Sequence, residues 1–176
     1  GARGALDEAV ALSMAFTLPA AAAMLAIPFY LIDGLYSRGE FTAADAQNAA
    51  LALIHYGWGV PAFVLAKIYA PAFFAREDTK APMRYAITSM VINIVLGAAI
   101  FFGLRSVGVP GFQGLAIATS IAAWVNVLLM IRTLTARGAY KPTPPAFARL
   151  LRICLASAIL FVVLWLGNAN RDALEA

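Results

Sequence analysis

Five stretches of this chain contain no Asp, Glu, Lys or Arg: residues 9–32, 46–66, 85–104, 106–131 and 153–170, the shortest of them 18 residues long. A helix rises ~1.5 Å per residue, so roughly 20 mostly apolar residues cross ~30 Å of hydrocarbon. Transmembrane strands would be about ten residues of alternating polarity, and runs such as Ala20-Ala21-Ala22-Ala23 or Ile159-Leu160-Phe161-Val162-Val163 do not alternate. The pattern predicts an all-α integral membrane protein with five transmembrane helices. Composition agrees, because only 12% of the residues are charged and 62% are hydrophobic, whereas a soluble domain carries about 25% charge.

The basic residues orient these spans, since Lys and Arg are retained in short cytoplasmic loops. The loop between the second and third spans holds Arg76, Lys80 and Arg84, and that between the fourth and fifth holds Arg132, Arg137, Lys141 and Arg149. The other loops and the tail hold one each, Arg38, Arg105 and Arg171. This alternation places the start of the first span in the cytoplasm and the end of the fifth outside it. The net charge of +4 therefore suits anionic lipid headgroups, at about 1 kcal/mol per basic residue near the surface, and points away from nucleic acid.

Proline and glycine mark the breaks. The first span, from about Asp7 to Asp33, contains Pro19 and Pro28. Thr42 and Asp45 read as a capping box opening the second. That span is the least regular, holding Gly57, Gly59, Pro61 and Pro71. Pro61 removes a backbone donor and is expected to kink it; Gly57, Gly59 and Pro71 are the other candidate hinge positions. Asp78 or Thr79 can cap the third span. The expected organisation is four transmembrane helices over residues 1–135, a basic Pro-rich linker over 136–149, a further transmembrane helix over 150–170 and a periplasmic tail over 171–176. The opening Gly1-Ala2-Arg3-Gly4 lacks an initiator Met, and no signal-peptide pattern precedes the first span, so a segment of a longer protein is expected. Cys154, the single cysteine, excludes an intramolecular disulfide and a cysteine metal cluster.

Lys67 is the sharpest chemical feature. An ionisable group inside a span costs several kcal/mol unless it meets water, a counter-charge or the interface. Its position between Pro61 and Pro71 favours a functional charge over one whose stem merely snorkels to the headgroups. His55, beside Tyr56, reads as a packing residue rather than a proton relay. Thr88, Ser89, Asn93, Thr119, Ser120 and Asn126 are uncharged polar groups within spans, where interhelical hydrogen bonds are the common use. Asn93 and Thr119 are also a possible cation site, although no acid lies inside any span to complete it. No metal site or cofactor is expected, and no catalytic constellation or phosphate-cradling glycine loop is present, so an enzyme is not expected.

The string Leu53-Ile54-His55-Tyr56-Gly57-Trp58-Gly59-Val60-Pro61-Ala62-Phe63-Val64-Leu65-Ala66-Lys67-Ile68-Tyr69-Ala70-Pro71-Ala72-Phe73-Phe74-Ala75-Arg76-Glu77-Asp78-Thr79-Lys80-Ala81-Pro82 closely resembles the MurJ (MviN) lipid II flippases of the multidrug/oligosaccharidyl-lipid/polysaccharide exporter superfamily. Leu35-Tyr36-Ser37-Arg38-Gly39-Glu40-Phe41-Thr42 and Gly114-Leu115-Ala116-Ile117-Ala118-Thr119-Ser120 resemble that family too. The resemblance implies part of a fourteen-helix, two-lobed flippase of the bacterial inner membrane, with these spans as its ninth to thirteenth and the last belonging to a lipid-tail groove. It implies movement of lipid II, an undecaprenyl-pyrophosphate-linked peptidoglycan precursor, between leaflets by alternating access. Lys67 would line the substrate pathway, while Arg76, Asp78 and Thr79 would shape a cytoplasmic gate. Energy would come from the membrane potential or a monovalent cation. The implied partners are lipid II, anionic lipids and the remaining helices of the same protein. A related exporter of polysaccharide-linked lipids or drugs, and a non-transporting membrane anchor of a cell-wall complex, are the alternatives.

Overall fold

The computed structural model describes residues 2–36, 42–141 and 143–170. The expected outer-loop motif Ser37–Phe41, Pro142 and the tail 171–176 lie outside them. Seven helices follow in order: α1 (Ala2–Ala26), α2 (Pro28–Tyr36), α3 (Ala43–Gly57), α4 (Val60–Phe74), α5 (Lys80–Ser106), α6 (Phe112–Ala136) and α7 (Pro144–Ala169).

α1, α5, α6 and α7 are each long and apolar enough to cross a membrane, and α3 with α4, bent by 43°, is a fifth candidate span. The first expected span is likewise interrupted, at Ile27 ahead of Pro28, where the proline disfavours helical geometry in the residue before it. α7 begins at Pro144, earlier than the expected 150, because prolines are well suited to a helix's first turn, where backbone donors have no partner in any case.

α6 is the central helix. It packs against α3, α4 and α5, while α7 packs chiefly on α1. The close approach follows from its small residues: Gly114, Ala116, Ala118, Ser120, Ala122 and Ala123 are all buried. In lipid, such residues let backbones come together where no hydrophobic force separates protein from solvent. Towards one end the contacts become bulkier, as Val10 and Met14 of α1, Tyr69 and Phe73 of α4 and Val127, Met130 and Leu134 of α6 form the core.

Polar contacts gather three chain segments at that end. The guanidinium of Arg137 pairs with Asp78, Arg76 donates to the Ala139 carbonyl at 3.4 Å, and Asp7 accepts from Thr143. The start of α1, the α4–α5 turn and the α6–α7 connection therefore share one side of the bundle, as an alternating five-span topology requires. These are the two basic loops of the sequence. The Thr42 capping box is present, with Asp45 accepting from the Thr42 backbone at 2.9 Å and the Thr42 hydroxyl accepting in return at 3.3 Å.

Candidate functional site

The bend in the second crossing is built at Trp58 and Gly59. Pro61 has no N–H to offer the Gly57 carbonyl, so the helical ladder fails one turn ahead of it. Two carbonyls at the break find partners on α6 instead. The Ser120 hydroxyl donates to the His55 oxygen at 2.6 Å, and the Trp124 indole donates to the Trp58 oxygen at 2.9 Å. Gly59 allows this approach, because a Cβ there would lie 2.8 Å from the Ser120 Cβ and 3.0 Å from its Cα. Gly57 meets Met24 of α1 less tightly, at 3.1 Å from the corresponding position. Pro71 sits inside α4 without interrupting it.

Beyond the break, α4 has two faces. Ala62, Tyr69 and Phe73 are buried against the core, whereas Phe63, Lys67 and Pro71, spaced four residues apart, are exposed. Lys67 thus stands on the side of α4 turned away from the core. Among the described residues no ion pair or hydrogen bond holds its ammonium group.

Beside Phe63 and Ala66, a cavity of about 260 Å³ opens between α4, α5 and α6, lined also by Ser89, Asn93, Thr119 and Asn126. The Thr119 hydroxyl lies 3.3 Å from Asn93 Oδ1 and also donates to its own helix at the Leu115 carbonyl, 2.8 Å away. Asn126 Oδ1 is buried without a partner. These oxygens are neutral, and no group of three or more His, Cys, Asp or Glu side chains able to hold a metal occurs among the described residues. The set suits a weakly bound monovalent cation or water and lacks the carboxylates a divalent ion requires. Three further polar groups on these helices link helices or bond within their own turn: Ser89 donates to the Ala122 carbonyl at 2.7 Å, Tyr85 and Thr133 share a 2.6 Å bond, and Thr88 donates to the Arg84 carbonyl at 2.9 Å.

Arg76, Asp78 and Thr79 occupy the turn after α4. Arg76 ties back to the Ala72 carbonyl at 2.9 Å as well as across to Ala139. Asp78 caps α5 by accepting from the Ala81 N–H at 3.0 Å, while Thr79 makes no side-chain cap. The Arg137 hydrogen bond, followed by the Ala81 N–H, holds the Asp78 carboxyl below its usual range.

A family model described as lipid II flippase MurJ matches residues 2–172. The chain belongs to the MurJ family. It is 37% identical to a probable lipid II flippase MurJ of Rhizobium meliloti (strain 1021) over 161 residues, 92% of this chain and 29% of that protein. The corresponding protein of Vibrio cholerae is 36% identical over 151 residues, 84% of this chain and 27% of that one. A solved structure of lipid II flippase MurJ in an inward closed conformation superposes with a TM-score of 0.74 at 22% identity, covering 98% of this chain and 40% of that one. This chain therefore spans under a third of these two relatives, as a multi-pass segment of an inner-membrane flippase family.

Within this MurJ segment, sequence reasoning missed three features. The Ser120 and Trp124 bonds to the helix break join residues more than sixty positions apart, a pairing no local pattern encodes. Asp7 marks only the edge of a span in the sequence, and its bond to the Thr143 hydroxyl joins residues 136 positions apart. The buried Tyr69–Tyr140 edge-to-face pair, with centroids 5.5 Å apart, carries no sequence signal.

Proposed function

We propose that this chain forms part of the second lobe of a lipid II flippase, which carries an undecaprenyl-pyrophosphate-linked peptidoglycan precursor from the inner to the outer leaflet. The family match over residues 2–172 carries this reading. The physical task is to take an anionic head through hydrocarbon while its tail stays in lipid. Lys67 serves it as an unpaired positive charge on the open face of a bent helix, where an anion can be met without first breaking an ion pair. The break at Trp58–Gly59 lets the two halves of the crossing tilt separately, with the His55 and Trp58 carbonyls already bonded to α6. Arg76 and Asp78 tie the two basic loops together and form the cytoplasmic gate, with Thr79 between the Asp78 cap and α5. α7 belongs to the groove that holds the lipid tail.

Membrane potential or a monovalent cation supplies the energy. Asn93 and Thr119, with Asn126 nearby, would hold such a cation, and its carboxylate ligand would come from helices outside this chain. Anionic lipids gather at the basic loops, and the remaining helices of the same protein complete the cavity.

The test is complementation of flippase-depleted cells by full-length protein, with membrane levels checked by blot. Lys67→Ala is expected to reach the membrane at normal level and fail to support growth, and Lys67→Arg to retain partial function. Full growth with the alanine variant would remove Lys67 from the pathway.

A further inference from the structure

Asp7, near the start of α1, is only 7% exposed. Its Oδ2 accepts from both the backbone N–H of Thr143, at 3.3 Å, and the Thr143 hydroxyl, at 2.9 Å. Thr143 is the N-cap residue of α7, yet its own side chain caps nothing in that helix. The next two residues are Pro144 and Pro145, which have no N–H. The start of α7 therefore carries few donors but keeps its partial positive charge, and the anion that meets it comes from another helix.

A buried carboxylate needs such partners. No cation contacts Asp7 in an ion pair among the described residues, and its Oδ1 is buried without a hydrogen-bond partner. The surrounding charged and titratable groups are Glu8 on the same helix, Arg149 on α7, Tyr140 in the α6–α7 connection and Tyr69 on α4. Tyr140 stays neutral: burial, then Tyr69 and the Asp7 charge, raise its hydroxyl well above the usual range. Elsewhere α7 lies along α1 as an open face-to-face contact, since of its residues only Ala146 and Ser157 are buried.

We propose that Asp7 is a positioning residue whose carboxylate clasps the start of α7 to α1 and so sets where α7 stands against the other helices. Its consequence for transport rests on the flippase reading, but the clasp itself does not.

The test uses full-length protein freed of cysteines, with one pair introduced at Gly4 and Ala146, which line the same cavity, and a control pair at Ile27 and Val163, which line another at the far end of α1 and α7. Bismaleimide cross-linking in membranes is followed over time. Asp7→Ala is expected to slow the Gly4–Ala146 cross-link several-fold and to leave the control pair unchanged. Asp7→Asn, which keeps an acceptor oxygen but no charge, should fall between. Thr143→Val combined with Asp7→Ala should add nothing further, and Thr143→Ser should behave as the parent. An unchanged rate in Asp7→Ala overturns the clasp, as does equal slowing of both pairs. Should Asp7→Ala fail to accumulate, an Asp7→Asn rate equal to the parent overturns it. A slowed cross-link with normal growth sustains the clasp and overturns its role in transport, whereas failure of the Lys67 test leaves the cross-linking result untouched.

Discussion

The Ser120 hydroxyl on α6 donates a 2.6 Å hydrogen bond to the backbone oxygen of His55, at the point where α3 gives way to the bend. Ser120 is completely buried, and Gly59 lies directly against it. The two residues fit one another, because the hydroxyl reaches the carbonyl only if position 59 has no Cβ. Gly59→Ala should therefore lower thermal stability more than Gly57→Ala, where the nearest atom is a side-chain carbon at 3.1 Å. Ser120→Ala should cost about 1–3 kcal/mol, the usual penalty for leaving a buried acceptor unpaired. Heating detergent-solubilised protein and measuring what remains monodisperse would rank the three variants. Equal midpoints for Gly57→Ala and Gly59→Ala would contradict the packing argument.

Much of this architecture was legible in the sequence for one reason: charge is expensive in hydrocarbon, so its absence over 18 or more residues marks a span. The same cost made Lys67 conspicuous, and Pro61 placed the bend to within three residues. What stayed hidden depends on which helices meet. The Ser120 and Trp124 bonds and the Asp7–Thr143 clasp join residues far apart in the chain, and no periodicity along a single helix records its neighbour. Pro144 and Pro145 misled in a different way, since a linker and a helix's first turn favour the same residue.

Glu77 is the one non-glycine residue with a positive φ among those described, at 57°. It closes the turn after α4, where the Asp78 N–H bonds the Phe73 oxygen at 3.1 Å and the Glu77 N–H bonds Phe74 at 2.9 Å. Gly108 and Gly138 hold the same place after α5 and α6, at 78° and 64°. A side chain in this region costs roughly 1–2 kcal/mol, and glycine gives back part of that through its freer unfolded chain. Glu77→Gly is expected to stabilise by about 0.5–1 kcal/mol and Glu77→Val to destabilise, as read from the thermal midpoint of the purified protein. A Glu77→Gly midpoint below that of the parent would count against it.

The Asp78–Arg137 pair sets a pH dependence. The folded carboxyl titrates below its ordinary value of 3.8, so the unfolded state binds the proton more readily. The link is therefore fully present above about pH 4 and is lost as pH falls through the lower folded value. Hydrogen exchange of the backbone at 77–82 and 137–141 is expected to be equally protected at pH 7 and pH 5, after correction for the intrinsic rate, and less protected below pH 4. In Asp78→Ala the protection should already be reduced at pH 7. A loss of protection between pH 7 and pH 5 in the parent would assign the change to another group.

Gly114 sits where α6 begins to run back along α5. A Cβ there would lie 2.8 Å from a methyl carbon of Ile100 and 2.9 Å from the carbonyl carbon of Ile100 and the nitrogen of Phe101. Two of those three atoms are backbone, which cannot rotate aside, so the helices would have to separate. Gly103, one turn from the end of α5, has nothing within 4 Å of its Cβ position. The same substitution should therefore have opposite consequences at two glycines of one hairpin. Gly114→Ala should destabilise by about 1–3 kcal/mol, the range for overfilling a packed interface. Gly103→Ala should be neutral or stabilise by up to about 1 kcal/mol, because alanine is the better helix former. Thermal midpoints of the two variants in one detergent decide the matter, and a Gly114→Ala protein as stable as the parent would mean that α5 and α6 do not meet as closely as described.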